Sequence, residues 1–232
     1  MKDRDIPILD IEGAGTLRPF FSIVVATFNR AQLLKRALDS LVAQTDTDWE
    51  AIVVDDGSTD GTYKKISLYL EAFPKIKYFK KEHSGEAGTK NKGIAKANGK
   101  YITFLDSDDE YAPRHLESRK QILIQNPNVE FLHGGVRIIG NQYVPDRFDP
   151  SKAIDLRDCV IGGSFFIARE TLLGLGGFRD IALGTDANLF DRAKETGIKI
   201  IETREPTYIY RRETEDSITN RMGLDRKTLP GT

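Results

Sequence analysis

The residues able to do chemistry gather where apolar runs end. Residues 101–105 (YITFL) are aromatic and β-branched, and Asp106, Asp108 and Asp109 follow within four positions. Such a run suits a buried strand. The acids then fall at the strand's carboxyl end, where open α/β sheets bind ligands. Carboxylates packed there repel one another unless a cation neutralises them, and hard oxygen donors suit Mg²⁺ or Mn²⁺. Taken alone, a short acidic turn is more often a solvated lead into the next helix. The rest of the chain has to decide between the two.

Similar clusters close other apolar runs. Thr27 to Arg30 follows residues 20–26, Asp55 to Asp60 follows residues 49–54, and another polar stretch precedes Asp186. In a parallel sheet the carboxyl ends of successive strands line one edge, so clusters far apart in sequence converge on one cleft. A single acidic turn has a cheap local explanation; a series at corresponding positions does not.

The elements that would hold them alternate. Strands are expected at 20–26, 49–54, 75–79 and 101–105. Between them come helices, the first carrying Leu33, Leu34, Ala37, Leu38, Leu41 and Val42 on one face. Asn29 is the expected N-cap of that helix, and Thr59 or Asp60 of the next. Further helices are expected at 89–97 and 113–125, with Asp109 capping the latter. Beyond residue 126, residues 129–133 and 135–139 read as two strands joined by a turn, and 141–158 as a polar covering loop. A strand at 162–168, a short helix from Arg169, a helix at 186–195 and strands at 198–201 and 207–210 complete the series. The alternation predicts an α/β fold with a mostly parallel sheet and helices on both faces.

Composition narrows the class. The 232 residues are 39% hydrophobic and 30% charged with a net charge of −1, which gives no overall drive toward nucleic acid. Cys159 is alone, so no disulfide forms within the chain, in keeping with a reducing compartment. No run reaches the roughly 18 apolar residues of a spanning helix, and the start lacks a secretory signal. The expectation is a soluble, cytoplasmic protein, with association at the inner face of a membrane left open. His83, His115 and His133 lack metal-ligand spacing, and Gly85 with Gly88 lacks the Lys-Ser/Thr ending of a phosphate-binding loop.

Residues 23–30 (IVVATFNR), 52–60 (IVVDDGSTD), 90–93 (KNKG) and 101–109 (YITFLDSDD) together resemble the motif series of family 2 glycosyltransferases. Gly163, Ser164, residues 176–178 (GGF), Thr185 and Asp186 extend the resemblance, which covers about residues 20–212. It implies the GT-A fold with a small acceptor-side subdomain. A leader is expected at 1–19, a single domain at 20–212 and a tail at 213–232. The domain would divide into a nucleotide-binding half (20–110) and an acceptor-binding half (111–212). In the tail, Asp216 and Ser217 are candidates to fold back over the site.

The resemblance also implies roles. Thr27, Asn29, Arg30, Asp56, Lys90 and Asp106 would bind the nucleotide, with Asp56 reading the base and Asp106 the ribose. Asp55 would hold its turn. Asp108 would ligate Mg²⁺ or Mn²⁺, and Asp186 would be the catalytic base. Gly163, Ser164 and Thr185 would border the donor sugar and acceptor. Lys90 stands where the family usually has Arg, and Thr185 where it usually has Glu. The implied activity is inverting transfer of one sugar, most readily from a UDP-sugar, to a glycan or lipid-linked acceptor in polysaccharide or glycan biosynthesis. No nucleic-acid partner is implied. A nucleotidyltransferase and a nucleotide-sugar-binding module without catalysis are the alternatives.

Overall fold

The computed structural model describes residues 18–213. The leader and tail expected from sequence, including Asp216 and Ser217, lie almost wholly outside these residues. The first half runs β1 (Phe21–Thr27), α1 (Ala31–Val42), β2 (Trp49–Asp55), α2 (Thr62–Ala72), β3 (Ile76–Lys80), α3 (Gly85–Lys96) and β4 (Tyr101–Phe104). A short β5 (Glu110–Tyr111) and α4 (His115–Gln125) lead to β6 (Phe131–Gly140). Then come β7 (Tyr143–Pro145), β8 (Ala153–Asp155), β9 (Phe166–Ala168), α5 (Arg169–Gly174), α6 (Thr185–Glu195) and β10 (Ile200–Arg212).

Eight strands form one sheet in the order β3-β2-β1-β4-β9-β6-β10-β5. β1 pairs in parallel with β2 and β4, β2 with β3, and β6 with β10. β9 runs antiparallel between β4 and β6, and β5 is antiparallel at the edge. Strands buried on both faces explain the nearly continuous apolar runs. In β1, Phe21, Ile23 and Val25 face one core, built with Leu34, Leu38 and Leu41 of α1, Ile66 of α2 and Leu116 of α4. Val24 faces the other, with Ile94 of α3, Leu172 of α5 and Leu189 of α6. The period of two in the strand thus places helices on both faces.

Three expectations need correction. Residues 129–139 and 198–210 are not two pairs of short strands but two long ones, β6 and β10, paired along their length with a register shift between Thr203 and Tyr208. Gly134 and Gly135, with φ of 89° and 69°, continue β6 rather than making a turn, and they lie opposite the bulge of β10 between Thr203 and Tyr208. A Cβ at Gly135 would lie 2.0 Å from the Glu205 carbonyl oxygen, so only glycine fits. The buried Arg119 side chain locks this irregularity by donating to the Gly134 and Glu205 carbonyls at 3.2 and 3.0 Å. Second, residues 141–158 are an antiparallel hairpin, β7 with β8, ending in a 3₁₀ turn at Leu156–Asp158. Three-residue strands carry no readable period. Third, α3 begins at Gly85, four residues earlier than expected.

Candidate active site

The loops after β1, β2 and β4 meet at one edge of the sheet, and they are tied together by side chains from one loop satisfying the backbone of another. Asn29 does not cap α1. It adopts φ 50°; its Oδ1 accepts from the Thr59 amide and its own amide donates to Ser58 Oγ, both at 2.8 Å. Arg30 holds the N-cap position without a side-chain cap. The first amide of α1, at Ala31, donates instead to Asp60 Oδ2 at 2.9 Å, and Asp60 Oδ1 accepts from Thr62 at the start of α2. One carboxylate therefore serves two helix N-termini, where negative charge is favoured. Asp55 holds its own turn by accepting from the Ser58 amide at 2.7 Å.

Asp56 does the same for α3. Its two oxygens accept from the Ser84 and Gly85 amides at 2.9 Å, beside the ammonium of Lys81 and His83 Nδ1. Burial works against its charge, but Lys81 and these amides outweigh it and hold the carboxyl below the usual range. Phe28 stacks flat on the His83 ring at 4.3 Å beside it. The Thr27 carbonyl accepts from the Asp56 amide at 2.9 Å, so the first two loops are locked in register.

At the end of β4 the three aspartates part company. Asp108 is ion-paired with Arg30. Asp106 lies 3.3 Å from Lys90 Nζ. Asp109 turns the other way, fully buried, and accepts from Tyr208 Oη at 2.6 Å and the Arg211 amide at 2.8 Å. It does not cap α4, whose N-cap position is Arg114. The reason is local: the Asp109 amide closes a turn onto the Asp106 carbonyl at 3.0 Å, which swings its side chain toward β10.

Lys90 is the hub of the site. Only 2% of its side chain is exposed, and its ammonium sits 2.6 Å from Glu86, 3.3 Å from Asp106 and 4.0 Å from Asp186. Burial disfavours its charge, but these three carboxylates raise its pKa well above the ordinary lysine value. Burial pushes Asp106 up to about 6, against the pull of Lys90 and with the repulsion of Glu86, Asp186 and Asp108. Asp186 is likewise raised, by burial first and by Glu86, with Lys90 opposing.

Asp186 stands in the first turn of α6, after Gly184 at φ 78°. It is not the cap of that helix. Its Oδ2 accepts from the Gly162 amide at 2.9 Å, while Oδ1 has no hydrogen-bond partner among the described residues. Thr185 opens the helix. Gly162 and Gly163 permit a close approach: a Cβ on Gly162 would lie 2.3 Å from Asp186 Oδ1, and one on Gly163 2.0 Å from Tyr208 Oη. Ser164 faces inward, donating to the Ile161 carbonyl at 2.7 Å and accepting from the Gly134 amide at 3.1 Å. Its hydroxyl is committed to backbone.

The structure therefore brings Thr27, Asn29, Arg30, Asp56, Lys90, Asp106, Asp108 and Asp186 to one edge, with Gly163 and Thr185 beside them. Sequence reasoning missed Glu86, Lys81, His83 and Tyr208. Only Glu86 left a local signal, its i,i+4 spacing to Lys90 on one helix. For a divalent cation, no group of three or more His, Cys, Asp or Glu side chains among the described residues forms a protein cage. Mg²⁺ and Mn²⁺ are commonly held by one or two carboxylates plus substrate phosphates. Asp108, with Asp106 near it, supplies such a partial donor set, so the residues fit a cation that arrives with a diphosphate.

A mostly parallel sheet with acidic loops at its carboxyl edge is the GT-A glycosyltransferase architecture, and solved structures of that fold superpose on it. S. aureus TarS in complex with UDP-GlcNAc aligns with a TM-score of 0.71 at 18% identity, covering 85% of this chain and 60% of that one. The Pyrobaculum calidifontis mannosyltransferase PcManGT in complex with GDP-Man and Mn²⁺ aligns at 0.67 and 22% identity, covering 88% and 60%. The model of glycosyl transferase family 2 matches residues 22–149, and the chain belongs to that family. Escherichia coli WfgD, a UDP-Glc:alpha-D-GlcNAc-diphosphoundecaprenol beta-1,3-glucosyltransferase, is 31% identical over 66% of this chain and 61% of its own length. A Campylobacter jejuni GalNAc(5)-diNAcBac-PP-undecaprenol beta-1,3-glucosyltransferase is 31% identical over 87% of this chain and 67% of its own. The matches span 45–67% of the length of three such curated relatives and as little as 18% of others.

Proposed function

We propose that the chain transfers a single sugar from a nucleoside diphosphate sugar to an acceptor hydroxyl, with inversion at the anomeric carbon. The observation that carries this reading is the gathering of Asp106 and Asp186 around one buried ammonium, 3.3 and 4.0 Å from Lys90 Nζ. The Asp186 carboxylate would take the acceptor's proton; Gly162 fixes it through Oδ2, and its buried Oδ1 carries no hydrogen bond among the described residues. A carboxyl raised above its ordinary pKa, yet kept ionised by a buried ammonium, is a stronger base at neutral pH. Asp106 would meet the ribose and Asp56 the base edge, with Phe28 and His83 flanking it.

A divalent ion held by Asp108 and the donor's diphosphate would neutralise charge developing on the leaving oxygen. Arg30, ion-paired with Asp108, would stand as a cation beside the phosphates. Direct displacement needs no covalent intermediate, which agrees with a site built of carboxylates and lacking a nucleophilic Ser or Cys among the groups described above. Mn²⁺ with GDP-Man in the mannosyltransferase structure supports this metal reading.

The relatives named for UDP-Glc and for diphosphoundecaprenol acceptors support a UDP-sugar donor and a lipid-linked saccharide acceptor. No helix among the described residues is long and apolar enough to cross a membrane. Work on such an acceptor would bring the chain to a membrane surface. The test is incubation with Mn²⁺, a donor panel and a diphosphopolyprenyl saccharide, measuring nucleoside diphosphate release and the anomeric configuration of the product. Release with an inverted linkage is expected. Pyrophosphate release would mark a nucleotidyltransferase, and tight donor binding without turnover a binding module.

A further inference from the structure

We propose that Tyr208 and Asp109 form a positioning pair that sets the separation between the metal-side turn at Asp108 and the base Asp186. The proposal rests on the function proposed above and assigns roles to two residues outside its chemistry. Both are fully buried, and both Asp109 oxygens are taken by β10, through Tyr208 Oη at 2.6 Å and the Arg211 amide at 2.8 Å. Asp109 is therefore turned away from the phosphate side of its own turn. On its other side, Tyr208 meets Gly163 so closely that a Cβ there would lie 2.0 Å from the phenol oxygen. The neighbouring Gly162 amide donates to Asp186 Oδ2 at 2.9 Å.

The path is continuous: Asp108, Asp109, Tyr208, Gly163, Gly162, Asp186. Each link is a peptide bond, a hydrogen bond or a close packing contact. The two loops are also linked through the buried Lys90 ammonium, which reaches Asp106 and Asp186 but neither Asp108 nor Gly162 directly in its ion pairs. A buried carboxyl is costly to keep, and an apolar residue would fill the same space beneath β10 more cheaply. The cost is offset in function if the hydrogen bond fixes geometry. Direct displacement depends on that geometry, because the acceptor oxygen must reach the anomeric carbon while Asp186 takes its proton. The Arg211 link also ties the end of β10 to the same carboxyl.

Hydrogen exchange on the full chain tests the pair without relying on turnover. Tyr208→Phe keeps the ring and removes only the hydroxyl. Amides at 105–109 and 160–164 should exchange about tenfold faster in this variant, with 49–55 unchanged. Where transfer is measured, kcat should fall about tenfold with donor KM within about twofold, since binding groups are untouched. Asp109→Asn can keep its oxygen for the Arg211 amide and donate its NH2 to the phenol oxygen, so it should stay within about threefold of the parent in both readings. Unchanged exchange at 160–164 in Tyr208→Phe overturns the proposal, as does a kcat loss matched by an equal loss of folded protein. Absence of transfer by the parent with every donor would defeat the proposed function, while the exchange pattern would still decide the pair.

Discussion

Lys90 Nζ lies 3.3 Å from Asp106 Oδ1 in a position that leaves only 2% of the lysine side chain exposed. The ammonium faces three carboxylates and the rings of Phe178 and Phe104, with centroids 5.2 and 6.0 Å away. It is a fixed internal counter-charge that keeps Asp106 and Asp186 together. In this state it is not presented to solvent as a phosphate ligand.

Replacing Lys90 should therefore act through charge. Lys90→Met leaves Glu86, Asp106 and Asp186 facing one another, and loss of one partner from a buried ionic group costs about 3–5 kcal/mol. Thermal denaturation should show that loss, and transfer should be abolished. Lys90→Arg, which keeps the charge, should fold with stability within about 1.5 kcal/mol of the parent, given the altered shape. A Lys90→Met variant of parent stability would remove Lys90 from the centre of the network.

Asp108→Ala should uncouple metal from nucleotide. Calorimetry of nucleoside diphosphate binding with and without Mn²⁺ should show the metal's contribution in the parent and none in the variant. The ion alone should bind the parent weakly, because one or two carboxylates make an incomplete shell. Equal metal enhancement in both proteins would move the ligand elsewhere.

Asp56 has two jobs, and its removal should show both. The Ser84 and Gly85 amides at the start of α3 lose their acceptor in Asp56→Ala, costing about 0.5–2 kcal/mol, the range for removing a helix cap. Affinity for free nucleoside diphosphate should also drop, about tenfold for the loss of a base contact worth roughly 1.4 kcal/mol. Lower stability with unchanged nucleotide affinity would leave Asp56 a helix cap and nothing more.

Glu50 gives a pH signature of the fold. This buried carboxylate accepts from Ser22 Oγ at 2.8 Å, the Asn98 amide at 2.7 Å and Lys77 Nζ at 2.8 Å. Burial opposes its charge, but Lys77 and these donors prevail and depress its pKa below 4.5. A depressed folded pKa stabilises above the unfolded value and is lost as pH falls through the folded one. Glu50→Gln should therefore be less stable than the parent at pH 7 by about 1.5–3 kcal/mol, the range for hydrogen bonds to a charged group. The gap should narrow as pH drops below 4.5. A constant gap across that window would show that the charge contributes nothing.

Much of this site was legible because strong apolar strands mark where each loop begins. β1, β2 and β4 announced themselves, and the residues just past them, Thr27, Asp56, Asp106 and Asp108, follow directly. What stayed hidden depends on partners distant in sequence. The start of α3 is fixed by Asp56, 28 and 29 residues before the amides it caps. Asp109 finds Tyr208 across 99 residues, so its acidic neighbours made it look like a helix cap. Gly134 and Gly135 read as a turn because glycine pairs usually make one; instead they continue β6 opposite the Arg119-locked bulge of β10.

In the proposed reaction Asp186 acts on the acceptor and not on the donor. Asp186→Asn keeps the shape and an oxygen for the Gly162 amide but removes the base. Donor affinity by calorimetry should stay within about threefold of the parent, while transfer falls by 10²-fold or more, the general range for loss of a positioned base being about 10²–10⁴. Near-parental transfer by Asp186→Asn, at unchanged donor affinity, would contradict the account.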